Sequence, residues 1–201
     1  MTEWVKFSLS SQQVKAFKEC VTCNAPYASR ISLGFAYDLA SLNKLFRETP
    51  DILRELDSLE GITPNISTKP AAQFEHPPLH PFWHKHFYSS RHQIRNGWER
   101  WGLGKGGNGD FKKMIEQAFV TYGDQPNLCI KRMSYDFVMG GLEDRSAAWK
   151  ITGDWIIFAK HGGQNYYLGL VPHPEIGQNV DQQIYDKLRQ GSAWEFPFLF
   201  K

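Results

Sequence analysis

The chain is poor in cysteine, with three in 201 residues. Three thiols cannot pair completely, which argues against a disulfide framework and makes a reducing, cytoplasmic setting the expectation. No run reaches the roughly 18 consecutive apolar residues that a membrane-spanning helix needs. The opening M-T-E-W-V-K-F lacks a charged-then-apolar leader pattern, so secretion is not expected. Net charge is only +2, which by itself selects no partner. There is no internal repeat and no low-complexity tract, so a solenoid is not expected.

What the chain does have is a 41% hydrophobic share, enough for a core, and many aromatics: seven Trp, eight Tyr and fourteen Phe. Five of its seven histidines fall between His76 and His92, in E-H-P-P-L-H-P-F-W-H-K-H-F-Y-S-S-R-H. Charge is concentrated there too. From His76 to Ile115 there are seven Lys/Arg (Lys85, Arg91, Arg95, Arg100, Lys105, Lys112, Lys113) against Glu99 and Asp110, a local excess of five. A basic middle between mildly acidic flanks suits an anionic ligand such as nucleic acid, and equally describes a solvated basic helix.

Periodicity predicts one domain over 1–201 in four stretches. Residues 1–60 read as helical. Ser10 or Ser11 can cap a helix with Val14, Phe17 and Val21 on one face, and Leu33 to Arg47 fits a second. Thr49-Pro50 opens a third carrying Leu53, Leu56 and Leu59. Residues 61–81 form a proline-rich connection, and long irregular connections are usually functional or disordered. Residues 84–122 read as helical again, as a helix from about Phe87 to Trp101, the glycine-rich loop 102–109, and a helix capped by Asp110. Residues 127–201 read as β-rich. Leu128–Val138 is full of strand formers, and two apolar runs flank H-G-G-Q-N at 161–165 as a hairpin. Apolar residues occupy both parities of those runs, so the sheet should be covered on both faces. The fold class expected is α+β: a helical N-terminal part packed with a C-terminal antiparallel sheet containing a β-hairpin.

The histidine stretch has three readings. If extended, His84-Lys85-His86 puts two imidazoles on one side, which could hold a metal, although such sites want three or four ligands. Alternatively, His84, His86 or His92 could move protons while Lys85, Arg91 and Arg95 neutralise phosphate and Trp83, Phe87 and Tyr88 stack on bases. Thirdly, the rings could simply be packed and hydrogen-bonded. Cys20-Val-Thr-Cys23 lacks the second pair a structural zinc site requires. Gly102–Gly109 departs from the Walker pattern and reads as a flexible basic loop. The hairpin supplies a second candidate cluster, with Lys160 and His161 at its turn and Lys131 and Arg132 on the stretch expected to pair beside it.

From about Asp110 to Arg189, this order of helices, then strands with a basic, histidine-bearing hairpin, resembles the small RelE/HigB-type bacterial ribonuclease toxins. The likeness is one of architecture and residue chemistry. It implies a metal-independent ribonuclease worked by Lys131, Arg132, Lys160 and His161. The leading expectation is therefore a nucleic-acid-acting protein of that kind, needing no cofactor or metal. Its catalytic candidates are His84, His86, His92 and His161; Arg91, Arg95, Lys131, Arg132 and Lys160 are the phosphate contacts, and Trp83 and Tyr88 the stacking residues. RNA and a cognate antitoxin or inhibitor protein are the expected partners, with no membrane. A noncatalytic, phage- or plasmid-type protein-binding module and a zinc-dependent enzyme are the alternatives.

Overall fold

Capping chemistry and apolar spacing place the N-terminal helices where the sequence predicts them. In the computed structural model, which describes residues 9–46, 49–64, 68–88, 93–140, 153–172 and 180–200, α1 spans Ser11–Val21. It opens with a reciprocal cap: the Ser10 hydroxyl accepts from Gln13 N while the Gln13 side chain accepts from Ser10 N. Next come α2 (Leu33–Phe46) and α3 (Thr49–Leu59), the latter with Ile52 and Leu56 fully buried.

Among the described residues, four strands form one antiparallel-paired sheet in the order β1-β2-β3-β4. β1 (Ala72–Gln73) and β2 (Trp83–Phe87) come from the middle of the chain, and β3 (Asp154–His161) and β4 (Gln164–Val171) from the last third. His161 pairs with Gln164 across Gly162-Gly163, whose φ values of 57° and 76° demand glycine at a two-residue hairpin turn.

The chain divides into two compact units. The first comprises Met1–Thr63, Ala71–Lys85 and Trp155–Lys201. In it α2 lies against β4: Ser32 Oγ donates to Leu168 O, Leu170 N donates to Asp38 Oδ2, and the Phe35 and Tyr167 rings lie 6.0 Å apart. The other sheet face is closed by the helix Asp181–Ser192 (α7) and the C-terminal segment. There Leu79, Phe82, Ile157, Leu168, Ile184, Leu188 and Phe196 form a core cluster. So the helical N-terminal part packs on the antiparallel sheet, and the sheet is covered on both faces. The fold class is α+β.

The second unit comprises Pro64–Pro70 and His86–Asp154. Its helices are α4 (Gln93–Arg100), α5 (Gly109–Tyr122) and α6 (Pro126–Tyr135), the last running into a π-helical turn, Asp136–Gly140. Trp101 is buried and its Nε1 donates to Phe137 O, tying the end of α4 to that turn.

Three expectations need correction. Residues 84–87, expected at the head of the 84–122 helical stretch, belong to the strand β2, because β1 on one side and β3 on the other pair with a segment that has no helical stripe. The stretch from Leu128, expected to be β, is α6. Pro126 sits at its first turn, where a missing N–H is harmless, and Cys129 and Met133, one turn apart, share a face. Asn108, not Asp110, caps α5 by accepting from Phe111 N; Asp110 instead bonds Arg100.

Candidate functional site

Between β1 and β2 the chain makes a loop, Phe74–Phe82, that is pinned rather than loose. Phe74 N donates to Phe82 O, His80 N to His76 O, Phe82 N to Leu79 O and the Gln73 side chain to Pro81 O. Pro77, Pro78 and Pro81 have no N–H to satisfy, so these few bonds suffice to hold it. Leu79 and Phe82, at 0% and 2% exposure, anchor it in the core. Two further pieces face it. The β3–β4 turn leaves Lys160 and His161 exposed, and the 3-10 turn Pro197–Leu199 lays Phe198 4.7 Å from the His161 ring.

The loop, the end of β3, α7 and the C-terminal turn enclose a groove of about 690 Å³. Its chemistry is carried by His80, Trp83, Lys160, His161, Tyr185 and Phe198, and among the described residues no Asp or Glu lines it. Lys160 Nζ stands 3.8 Å from the centre of the Trp83 ring, a cation–π contact. His80 Nδ1 is 3.1 Å from Phe74 O. A carbonyl only accepts, so in this bond Nδ1 carries the hydrogen and Nε2 is left as the basic nitrogen. The result is a basic, aromatic-lined groove with a defined floor.

Of the residues predicted from sequence, Trp83, Lys160 and His161 meet here. The remaining candidates have other surroundings. His84, half-buried, lies between Phe74 and Trp155, with ring centres 4.7 and 5.0 Å away. Trp155 is near the start of β3 and His161 is at its end, about 20 Å apart at the rise of an extended strand. Lys85 is buried 3.3 Å from the Glu55 carboxylate. Burial pulls its ammonium below the usual lysine range, and Glu55 offsets only part of that. His86 is 4% exposed, with Nδ1 3.0 Å from Gly153 O and 3.4 Å from Gly153 N. Whichever tautomer it adopts, that nitrogen is bonded to the Gly153 backbone. Gly153 itself has no room for a side chain, since a Cβ would stand 1.7 Å from Phe87 O.

Tyr88 is half-buried just after β2. Lys131 and Arg132 are exposed on α6 in the second unit, with Arg132 Nε 2.6 Å from Asp136 Oδ2. They do not lie on a strand beside the hairpin, which removes the shared-sheet cluster that the toxin resemblance implied. Arg91 and His92 lie outside the described residues, and Arg95 is placed only as a backbone position on α4. Among the described residues no three His, Cys, Asp or Glu side chains gather as a metal site would need.

Sequence reasoning missed His80 and Phe198. His80 sits in a proline-rich stretch that reads as scaffold-free until Leu79 and Phe82 are seen to anchor it. The nearest signal was the pair of apolar residues, Leu79 and Phe82, that flank His80-Pro81. A second concavity of about 360 Å³ lies beside α1, but its buried cation Lys18 is bonded to Glu195, which also accepts from Leu33 N. That pairing ties the C-terminal segment to α1 and α2. No protein-family model, no curated protein and no solved structure matches this chain.

Proposed function

We infer that the groove binds single-stranded RNA and that the protein cleaves it there by acid–base chemistry, without a resident metal. The observation that carries this reading is the convergence of Trp83, Lys160 and His161 on a groove with no carboxylate among its described lining residues. A nucleotide presents a flat ring and a phosphate. Base–aromatic stacking is worth about 1–3 kcal/mol per base, against about 0.5–1 kcal/mol for an exposed cation–π contact. A base can therefore take the place of the Lys160 ammonium on Trp83, and the ammonium is then free to meet the phosphate. The absence of carboxylates from its described lining keeps the field favourable to an anion.

Anisotropy titrations of a labelled single-stranded RNA at low and moderate salt test the binding half. Affinity should fall with salt, with a log–log slope of about −0.7 per phosphate contacted. Trp83→Ala should weaken binding by about 5- to 150-fold, the equivalent of one lost stack. Lys160→Ala should weaken it and flatten the salt slope. RNA affinity indifferent to both substitutions would remove the groove as the site.

Docking on a protein is a second reading, favoured by the second unit. Val120 is 88% exposed and Ile130 63%, with Phe119 and Tyr135 also exposed on the same pair of helices. Salt-tolerant capture of one protein, abolished by Val120→Asp, would support it, because apolar docking is little screened by ions.

A further inference from the structure

His161 alone cannot both take a proton from an attacking hydroxyl and give one to a departing oxygen in a single step. The cleavage proposed above needs a second proton carrier in the same groove, and this inference rests on that reading. We propose that His80 is that residue: it is the general base, His161 is the general acid, and the substrate is RNA because the reaction uses the 2′-hydroxyl.

Three observations support the assignment. His80 and His161 line the same groove from two separate elements, the β1–β2 loop and the end of β3. The Nδ1 contact with Phe74 O, at 3.1 Å, fixes the His80 tautomer, so that Nε2 holds the lone pair a base requires. The loop around it is held by backbone bonds at both ends and by two core side chains, which gives the ring the fixed placement that proton transfer depends on. His161, exposed like His80, rests against Phe198. It stands next to Lys160, whose charge would face the phosphate as negative charge builds there.

The step balances without any co-reactant. His80 Nε2 removes the 2′-hydroxyl proton, and the 2′-oxygen forms a bond to the adjacent phosphorus. The bond from phosphorus to the 5′-oxygen breaks, and that oxygen takes a proton from the His161 imidazolium. The products are a 2′,3′-cyclic phosphate and a 5′-hydroxyl. His80 is left protonated and His161 neutral, and exchange with water restores both.

The full-length protein is assayed with a 5′-labelled single-stranded RNA and with the same strand carrying one 2′-deoxy residue at the cut position, both in EDTA. The wild type should cleave the first to a cyclic phosphate end and leave the second intact at that position. His80→Gly and His161→Ala should each slow cleavage by about 10²- to 10⁴-fold, with RNA affinity and melting temperature near those of the wild type. Imidazole in solution should restore His80→Gly, which a merely structural histidine would not allow. A substrate with sulfur in place of the bridging 5′-oxygen needs no protonated leaving group, so it should restore His161→Ala and leave His80→Gly slow. His80→Asn, which keeps an amide donor for Phe74 O, should be as slow as His80→Gly. Wild-type cleavage that survives in both His80 variants overturns the role of His80 while leaving the cleavage site standing. RNA that is bound but never cut overturns catalysis and leaves binding. RNA that is not bound at all overturns the site itself, and cleavage abolished by EDTA overturns the metal-free step.

Discussion

His84-Lys85-His86 on β2 and Lys160-His161 on β3 carry the same side-chain chemistry on neighbouring strands, and their surroundings differ in every respect that matters for function. The first stretch is turned to internal partners: an aromatic pair for His84, the Glu55 carboxylate for Lys85, the Gly153 backbone for His86. The second rests on aromatic rings, Trp83 under the ammonium and Phe198 beside the imidazole, and remains open to solvent. A histidine cluster in a sequence is thus a statement about supply. The partner each ring finds decides whether it holds a fold or meets a ligand.

The largest effect that could break this contrast lies at Lys85. Removing one member of a buried ion pair strands the other charge and typically costs about 3–5 kcal/mol. Lys85→Ala should lose that much in urea unfolding. The double replacement Lys85→Met with Glu55→Leu should recover most of it, since a well-packed apolar pair of similar volume is often as good. A single substitution as mild as a surface change would mean that the inner stretch is not structural, and the contrast would vanish.

His86→Ala comes next. It deletes a buried hydrogen-bond partner of the Gly153 backbone, for which about 1–3 kcal/mol is the usual penalty. Melting of the purified variant measures that loss, and RNA cleavage per folded molecule should be unchanged. Reduced turnover at full stability would return His86 to the candidate catalytic set.

How much of this was legible beforehand depends on which interactions are local. The Ser10 cap, one of two serines the sequence offers, the Thr49-Pro50 helix start and the hairpin turn within 161–165 are written within a few residues. The structure narrows the first and last to a Ser10–Gln13 box and Gly162-Gly163. Coverage of both sheet faces was legible from parity alone, because a strand's side chains alternate. The strand at 83–87 was not. W-H-K-H-F has no decisive period of its own, and its state is set by β1 and β3, the latter some 70 residues away in sequence. The helix from Pro126 was misread because Ile130, Tyr135, Phe137 and Val138 are strand formers, while the spacing of Cys129 and Met133 is helical. In the site, Trp83, Lys160 and His161 were readable as residue types, and their meeting was not. His80 was hidden for the same reason: the bonds that hold it run to Phe74 and the core, and only the folded loop brings these together.

The smallest expected change sharpens the contrast from the open side. Lys160→Ala removes an exposed ammonium whose contact with Trp83 is worth about 0.5–1 kcal/mol at most. Its loss should shift unfolding by no more than that, against several times as much for Lys85→Ala. A double-mutant cycle with Trp83→Leu, which removes the ring face, isolates the pair, because each single change also alters packing. If the cycle returns a coupling in stability under about 1 kcal/mol, Lys160 is held lightly and can leave the ring when a base arrives. The same cycle run on RNA affinity should then give non-additive losses, since stacking on the indole and release of the ammonium to phosphate are one event. A strong coupling in the unliganded protein, comparable to that of the Lys85–Glu55 pair, would instead make Lys160 a second buried-type strut, and the groove would have no cation to offer.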